Sequence, residues 1–261
     1  MMKPGIVYNA STETIEEEYC TTRGEASCFR LLTEGDYAET ITVTEIQLTG
    51  NSEFISSDTH DTLIFLREGC ATLIIRSPLG NFEEEMSCES AALVLSGSSF
   101  LWKNGVALKA LEISIPDATT PFSRRMTSER NSYTPFVKRG ENIKGNATGD
   151  RQFEVLYNAD NGSAGATMFI GFIPPSGAPA HYHLYDEVCH IVRGGGELRV
   201  GNKVQVIQPG STFVIAPRLL HSIVNNQKED LWILGTFRPS GSPAAAYYPD
   251  GRPAPGYTEV E

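Results

Sequence analysis

The chain is poor in the residues that would make several functions easy to propose. Its five cysteines (Cys20, Cys28, Cys70, Cys88 and Cys189) are odd in number, widely spaced and never in a CxxC pair. That argues against a disulfide framework or a thiolate zinc site and suits a reducing cytosol. Basic residues are outnumbered, 21 against 32 acidic ones, for a formal net charge of −11. A chain so acidic has no electrostatic reason to bind nucleic acid or an anionic membrane. No apolar run approaches a membrane span, and the first thirty residues lack a basic segment followed by an apolar one, so the expected location is cytoplasmic. Without a secretion signal, the sequon matches at Asn146 and Asn161 carry no weight. Long helical patterns are also missing, while glycine (24) and proline (15) are plentiful, which favours β structure with many turns.

Short alternating segments fill the first half. Thr40 to Leu48 alternates and stops at Gly50; Thr62–Arg67 runs into Glu68-Gly69; Ala71–Arg76 ends at Ser77-Pro78; Ala91–Leu95 and Leu108–Ile115 follow. Each reads as a strand bounded by turn residues. Residues 1–22 read as an irregular arm with a strand around Gly5–Tyr8. Pro116 to about Thr148 breaks the pattern and reads as a connection with at most one short helix. Strands resume at Phe153–Tyr157. Pro239 to Glu261 carries five prolines and reads as a tail draped over the surface or a neighbouring subunit.

The two halves resemble each other. Phe29 answers to Phe153 and Gly69 to Gly194, at offsets of 124 and 125 residues, which points to tandem duplication of one β domain. Only the second copy carries a cluster of histidines. His181, His183 and Glu187 have the spacing of side chains sharing one face of a strand. Two imidazoles and a carboxylate suit a divalent transition metal with open coordination positions, and His221 would arrive from a second strand as a fourth ligand.

These residues, with Gly177 and Gly194 around the first group and Gly210, Pro217, His221 and Asn225 forming the second, resemble the two motifs of the cupins. The duplication makes the chain similar to the bicupins. Pro217 is followed by Arg218, where the family's pattern has a small pair ending in glycine. The resemblance implies an all-β chain of two tandem jelly-roll (double-stranded β-helix) barrels, each able to enclose a small ligand. Residues 1–120 would form a degenerate N-terminal barrel, 121–148 a connector, 149–238 the C-terminal barrel with the metal, and 239–261 the proline-rich tail.

In the first half Ser56, Asp58 and Thr62 stand where His181, His183 and Glu187 stand in the second, and Phe100-Leu101 fall near the place of His221. The first barrel is therefore expected to bind no metal, with His60 as a loop or surface residue. His190 falls on the opposite strand face from Glu187, which excludes it as a ligand and assigns it to packing between sheets or at a subunit contact. Cys189 and Ile191 share the inward face and are expected to line the substrate pocket, the cysteine as a small apolar filler.

The expected cofactor is one divalent transition metal, iron or manganese first, with zinc, nickel or cobalt open. Oxalate decarboxylases are bicupins that place an arginine near the metal and keep ligands in both barrels. The stretch Ser176–Ala180 has no cation and only one half of this chain carries the ligands, so oxalate chemistry is set aside. Arg193 and Arg199, available for a phosphosugar, sit near a hairpin turn. An apolar approach from Ala178, Pro179, Ala180, Leu184, Leu219 and Leu220 suits an enolic or phenolic substrate. The leading expectation is a dioxygenase-type oxidoreductase acting on such a small molecule. An isomerase, lyase or hydrolase of a small polar metabolite comes second, and a non-catalytic small-molecule or sugar-binding protein third. A homodimer is the expected assembly.

Overall fold

The computed structural model describes residues 3–9, 20–32, 41–116, 133–140, 142–147 and 150–254. Most of the arm, the connection from 117 to 132 and the end of the tail lie outside them. The chain is all-β, and no helix among the described residues is long and apolar enough to cross a membrane.

The first half is one continuous eight-stranded sheet bent into a barrel. It comprises β2 (Cys20–Leu32), β3 (Thr42–Ser52), β4 (Ile55–Ser57), β5 (His60–Ser77), β6 (Gly80–Ser87), β7 (Ser90–Val94), β8 (Ser98–Pro116) and β9 (Phe136–Lys138). The long strands β5 and β8 pair along most of their length and carry the sheet around the bend. Inward residues of β3, β5 and β8, among them Ile46, Leu48, Ile64, Leu66, Leu108 and Ala110, fill the barrel.

In the second half the same plan is split into two sheets. One orders β1 (Tyr8–Asn9), β17 (Ser211–Ile215), β14 (Asp186–Arg193), β19 (Leu231–Arg238), β12 (Thr167–Ile173), β11 (Gln152–Tyr157) and β10 (Ile143–Asn146). The other orders β13 (Ala178–His181), β18 (His221–Asn225), β15 (Gly196–Val200) and β16 (Lys203–Ile207). Gly69 and Gly194 both adopt left-handed backbone, φ +75° and +78°, where a side chain would be strained, so both copies turn at the same point. The ladders sharpen the repeat. Thr44 and Ile64 flank Glu112 as Phe169 and Cys189 flank Gly235, an offset of 125 on both flanking strands.

The outward faces of the central strands meet. Val43, Leu63, Phe65 and Ile113 of the first half are buried against Met168, Ile170, Val188 and Leu234 of the second, in one core shared by both barrels. Alternation along each strand makes this possible, one face filling the barrel and the other closing the interface.

Three expectations change. The strand near the N-terminus is β1, which pairs with β17 in the second half, while Gly5 N donates to Val214 O; the arm crosses to the far barrel. The described part of the connector forms strands, β9 on the edge of the first sheet and β10 on the edge of the second. The described part of the tail, to residue 254, is not draped over the surface: Ala244 and Ala246 are buried, and Tyr247 bridges to Tyr182 with their rings stacked 5.4 Å apart. Its small alanines fit against the barrel, and paired Tyr182–Tyr247 backbone bonds satisfy its polar groups.

Candidate metal centre

The structure gathers His181, His183, Glu187 and His221 at the mouth of the second barrel, all four buried. His181 ends β13 and His221 opens β18, and they are direct cross-strand partners with ring centroids 4.4 Å apart. His183 does not share a strand with Glu187, contrary to the in-phase expectation. It lies in the turn between β13 and β14, and the turn, rather than strand parity, swings its ring to 5.3 Å from His221 and its Nε2 to 2.9 Å from Glu187 Oε2. The His183 ring stacks on Tyr185, which stacks on Phe237.

Each imidazole is oriented by its other nitrogen. Nδ1 of His181 lies 2.7 Å from Pro179 O, Nδ1 of His183 2.9 Å from Tyr185 O, and Nδ1 of His221 2.9 Å from Leu219 O. A carbonyl only accepts, so each Nδ1 carries a proton and leaves Nε2 as the nitrogen available to a metal. Burial, with the neighbouring imidazoles and Arg151, holds His181 well below the usual histidine range; burial and His183 bring His221 down to about 4. Burial pushes the Glu187 carboxyl up, but the neighbouring His183 and His221 imidazoles and Arg151 hold it below the ordinary value. His183 Nε2 is buried with no hydrogen-bond partner even though a carboxylate oxygen stands beside it. Two lone-pair carriers facing each other in a buried site fit a cation between them. Among the described residues no trio of His, Cys, Asp or Glu is already arranged around one point, so the four are gathered rather than drawn tight.

Arg151 is the residue that sequence reasoning missed. It stands just before β11, lines the same cavity, and brings its guanidinium to 3.5 Å from His181 Nε2. Burial lowers its pKa while Tyr185 and Glu187 raise it, and an arginine remains charged throughout. The absence of a cation, one of the two grounds on which oxalate chemistry was set aside, is thus corrected. The cation comes from a strand start 30 residues before His181, not from the loop preceding it. Its parity with Phe153, which also lines the cavity, was the available signal.

The cavity encloses about 40 Å³. Phe153, Phe169 and Phe213 wall it on the inside and Pro243 of the tail joins the lining. Leu184 and Leu220, expected as the apolar approach, are exposed instead. Cys189 lines the cavity as a neutral thiol, its pKa raised by burial and by Glu187. Ile191, expected beside it, is fully buried one step deeper among Leu198, Ile207 and Phe213 and does not reach the cavity. His190 faces the other way: its Nδ1 lies 2.8 Å from Thr212 Oγ1 at the interface between barrels, and burial and Arg67 of the first half keep it neutral. Arg218 takes the left-handed backbone (φ +65°) that a glycine would occupy without strain, and its N–H donates to His183 O.

Residues 169–236 match the Cupin domain family. No curated protein sequence matches the chain. Among solved structures it is similar to Bacillus subtilis oxalate decarboxylase. An oxalate decarboxylase structure concerned with substrate binding mode and a reaction specificity switch matches with a TM-score of 0.72 at 12% identity, covering 96% of this chain and 81% of the other. For a structure concerned with the Mn(II) centres of the Bacillus subtilis enzyme the TM-score is 0.70 at 12% identity, with the same coverage. Vicilin from hazelnut, Corylus avellana, matches with a TM-score of 0.62 at 11% identity, covering 89% and 85% of the two chains.

Proposed function

We propose, for a chain that is a bicupin with a cupin domain in its C-terminal half, a metal-dependent enzyme acting on a small organic acid. His181, His183, Glu187 and His221 would hold a single divalent transition metal, with the substrate carboxylate on Arg151. Manganese is favoured over iron because the similar oxalate decarboxylase has Mn(II) centres. One observation carries the reading. Three imidazoles commit Nδ1 to backbone carbonyls and leave Nε2 free to ligate, that of His183 2.9 Å from Glu187 Oε2 and that of His181 3.5 Å from the Arg151 guanidinium, around a cavity of about 40 Å³.

The bound metal supplies Lewis-acid polarisation of a coordinated oxygen. The chain does the rest. Arg151 matches a carboxylate in charge and can hold it through two parallel hydrogen bonds. The phenylalanine walls and Pro243 exclude water and strengthen each electrostatic contact inside. Cys189, a neutral thiol, is no nucleophile here. By the rule that one water needs about 10–15 Å³, the cavity has room for an ion and a ligand of a few atoms. That size and the arginine favour lyase-type cleavage of a short carboxylate over the expected oxidation of a phenol. The dioxygenase reading keeps one support, the apolar wall beside ligands that leave coordination positions open.

The test is product analysis with manganese- and iron-loaded protein. Oxalate and other short mono- and dicarboxylates are followed for carbon dioxide release, and small enols for dioxygen uptake. Turnover of a short acid without net oxygen consumption is expected. Stoichiometric uptake with an enol would install the dioxygenase instead, and tight metal with no turnover of either panel would leave a binding protein. The homodimer is proposed on a narrower basis: edge strand β16 exposes Val204 and Val206, and size-exclusion chromatography with light scattering reads the mass directly.

A further inference from the structure

The mouth of the first barrel, where Ser56, Asp58 and Thr62 stand in the places of His181, His183 and Glu187, is not closed. It holds a cavity of about 480 Å³, against about 40 Å³ at the corresponding mouth of the second. Its wall is polar where the other is aromatic: Thr44, Thr62 and Ser114 face it from β3, β5 and β8. Ser56 and Thr62, which answer to His181 and Glu187, both line it, as does Phe100.

At its floor is Glu112, in the place of Gly235. In the second barrel a Cβ at Gly235 would stand 2.6 Å from Glu187 Oε1, so the glycine makes room for that carboxylate. In the first barrel the arrangement is inverted: threonine replaces the glutamate, and the carboxylate comes from β8. Glu112 is 5% exposed, and its Oε2 accepts from Arg23 Nη1 at 2.7 Å. Its Oε1 is buried and accepts no well-aligned hydrogen bond; the Trp102 indole N–H, equally unpartnered, is the protein donor near the carboxylate. A buried carboxylate oxygen left unpaired costs free energy that an incoming O–H or N–H donor would recover. Arg30 lines the same cavity. Two guanidinium groups against one carboxylate leave a net positive charge inside a chain whose total is −11.

We propose that the first barrel is a second, metal-independent ligand site, which takes a small carboxylate carrying hydroxyl groups. The ligand carboxylate pairs with Arg30, one hydroxyl donates to Glu112 Oε1, and the threonine and serine hydroxyls meet the others. Charge decides for an anion, the orphaned acceptor decides for a donor on that anion, and the cavity has space for a molecule of sugar size. The proposal does not rest on the chemistry assigned to the second barrel.

D-Gluconate serves as the probe, titrated calorimetrically into the full-length, metal-loaded protein. One-to-one binding is expected, unchanged by chelation of the metal and by His181→Ala, because neither touches this cavity. Arg30→Ala and the cavity-filling Ser56→Phe, the latter at an exposed position that leaves the core intact, should each weaken it about tenfold or more. Acetate, which lacks the hydroxyls, and D-glucose, which lacks the carboxylate, should each bind about tenfold more weakly or worse. No gluconate binding up to about 10 mM, binding lost on chelation, an affinity indifferent to both variants, or glucose binding as well as gluconate would each overturn the proposal.

Discussion

In the second barrel Gly235 faces Cys189 and Phe169 across two ladders; in the first, Glu112 faces Ile64 and Thr44 across the same two. Exchanging a glycine for a glutamate at one inward position changes what the mouth can hold. The glycine makes room for the Glu187 carboxylate from β14, at the mouth where three imidazoles gather. The glutamate occupies that space, binds Arg23 and leaves a wide polar cavity. Duplication thus preserved the strand ladders, which depend on backbone hydrogen bonds and apolar alternation. The chemistry, which depends on a handful of inward side chains, was free to diverge.

The largest effect should come from removing the ligands. His181→Ala combined with His221→Ala should abolish stoichiometric metal, read by elemental analysis, together with all turnover. The same treatment at the first mouth, Ser56→Ala with Thr62→Ala, should change neither. Metal retained in the double histidine variant would remove the distinction between the barrels.

Arg151→Ala should keep the metal and lower kcat/KM by roughly 10²–10³, the usual cost of losing a buried charge aimed at the reacting group. If both metal and catalysis survive, Arg151 is a packing residue.

Acid should separate the halves by sign. Folded His221 does not protonate until about pH 4, whereas the unfolded residue does near 6.5. The unfolded state therefore binds the extra proton, and metal-free protein should lose stability as pH falls through that window, by roughly 3 kcal/mol from this residue. His181 and His190 act in the same direction. Glu112 acts in the other: burial raises its pKa against the pull of Arg23, so it contributes stability at acid pH that is lost as pH rises through its folded value. Urea midpoints from pH 7 down to pH 4 should fall in the native chain and fall more steeply in Glu112→Gln. Parallel slopes would show that Glu112 is ionised throughout.

Gly235→Ala would press its Cβ against Phe169 and Glu187; a cost of about 2 kcal/mol is expected, with weakened metal binding. Undiminished metal affinity would show that Glu187 has space the glycine does not provide. The smallest effect is a gain. Arg218→Gly removes left-handed strain at an exposed position and should stabilise by about 1 kcal/mol while keeping the N–H donated to His183. Thermal unfolding of the two chains would show it.

Local sequence carried the all-β class, the repeat at an offset near 125 and the exclusion of His190, because strand alternation has a period of two residues and can be read from neighbours. The histidines and Glu187 were also legible as a set, although the turn that brings His183 in was not. Only the tertiary structure decided the rest. Arg151 reaches His181 because β11 runs beside β12 at the barrel mouth, and Pro243 reaches the cavity because Tyr247 is bridged to Tyr182. β1 crosses to the far barrel, and Glu112 is set against Gly235 only once both ladders are in register. These contacts join residues far apart in the chain, where no periodicity in either partner reports on the other. The size of each mouth follows from them.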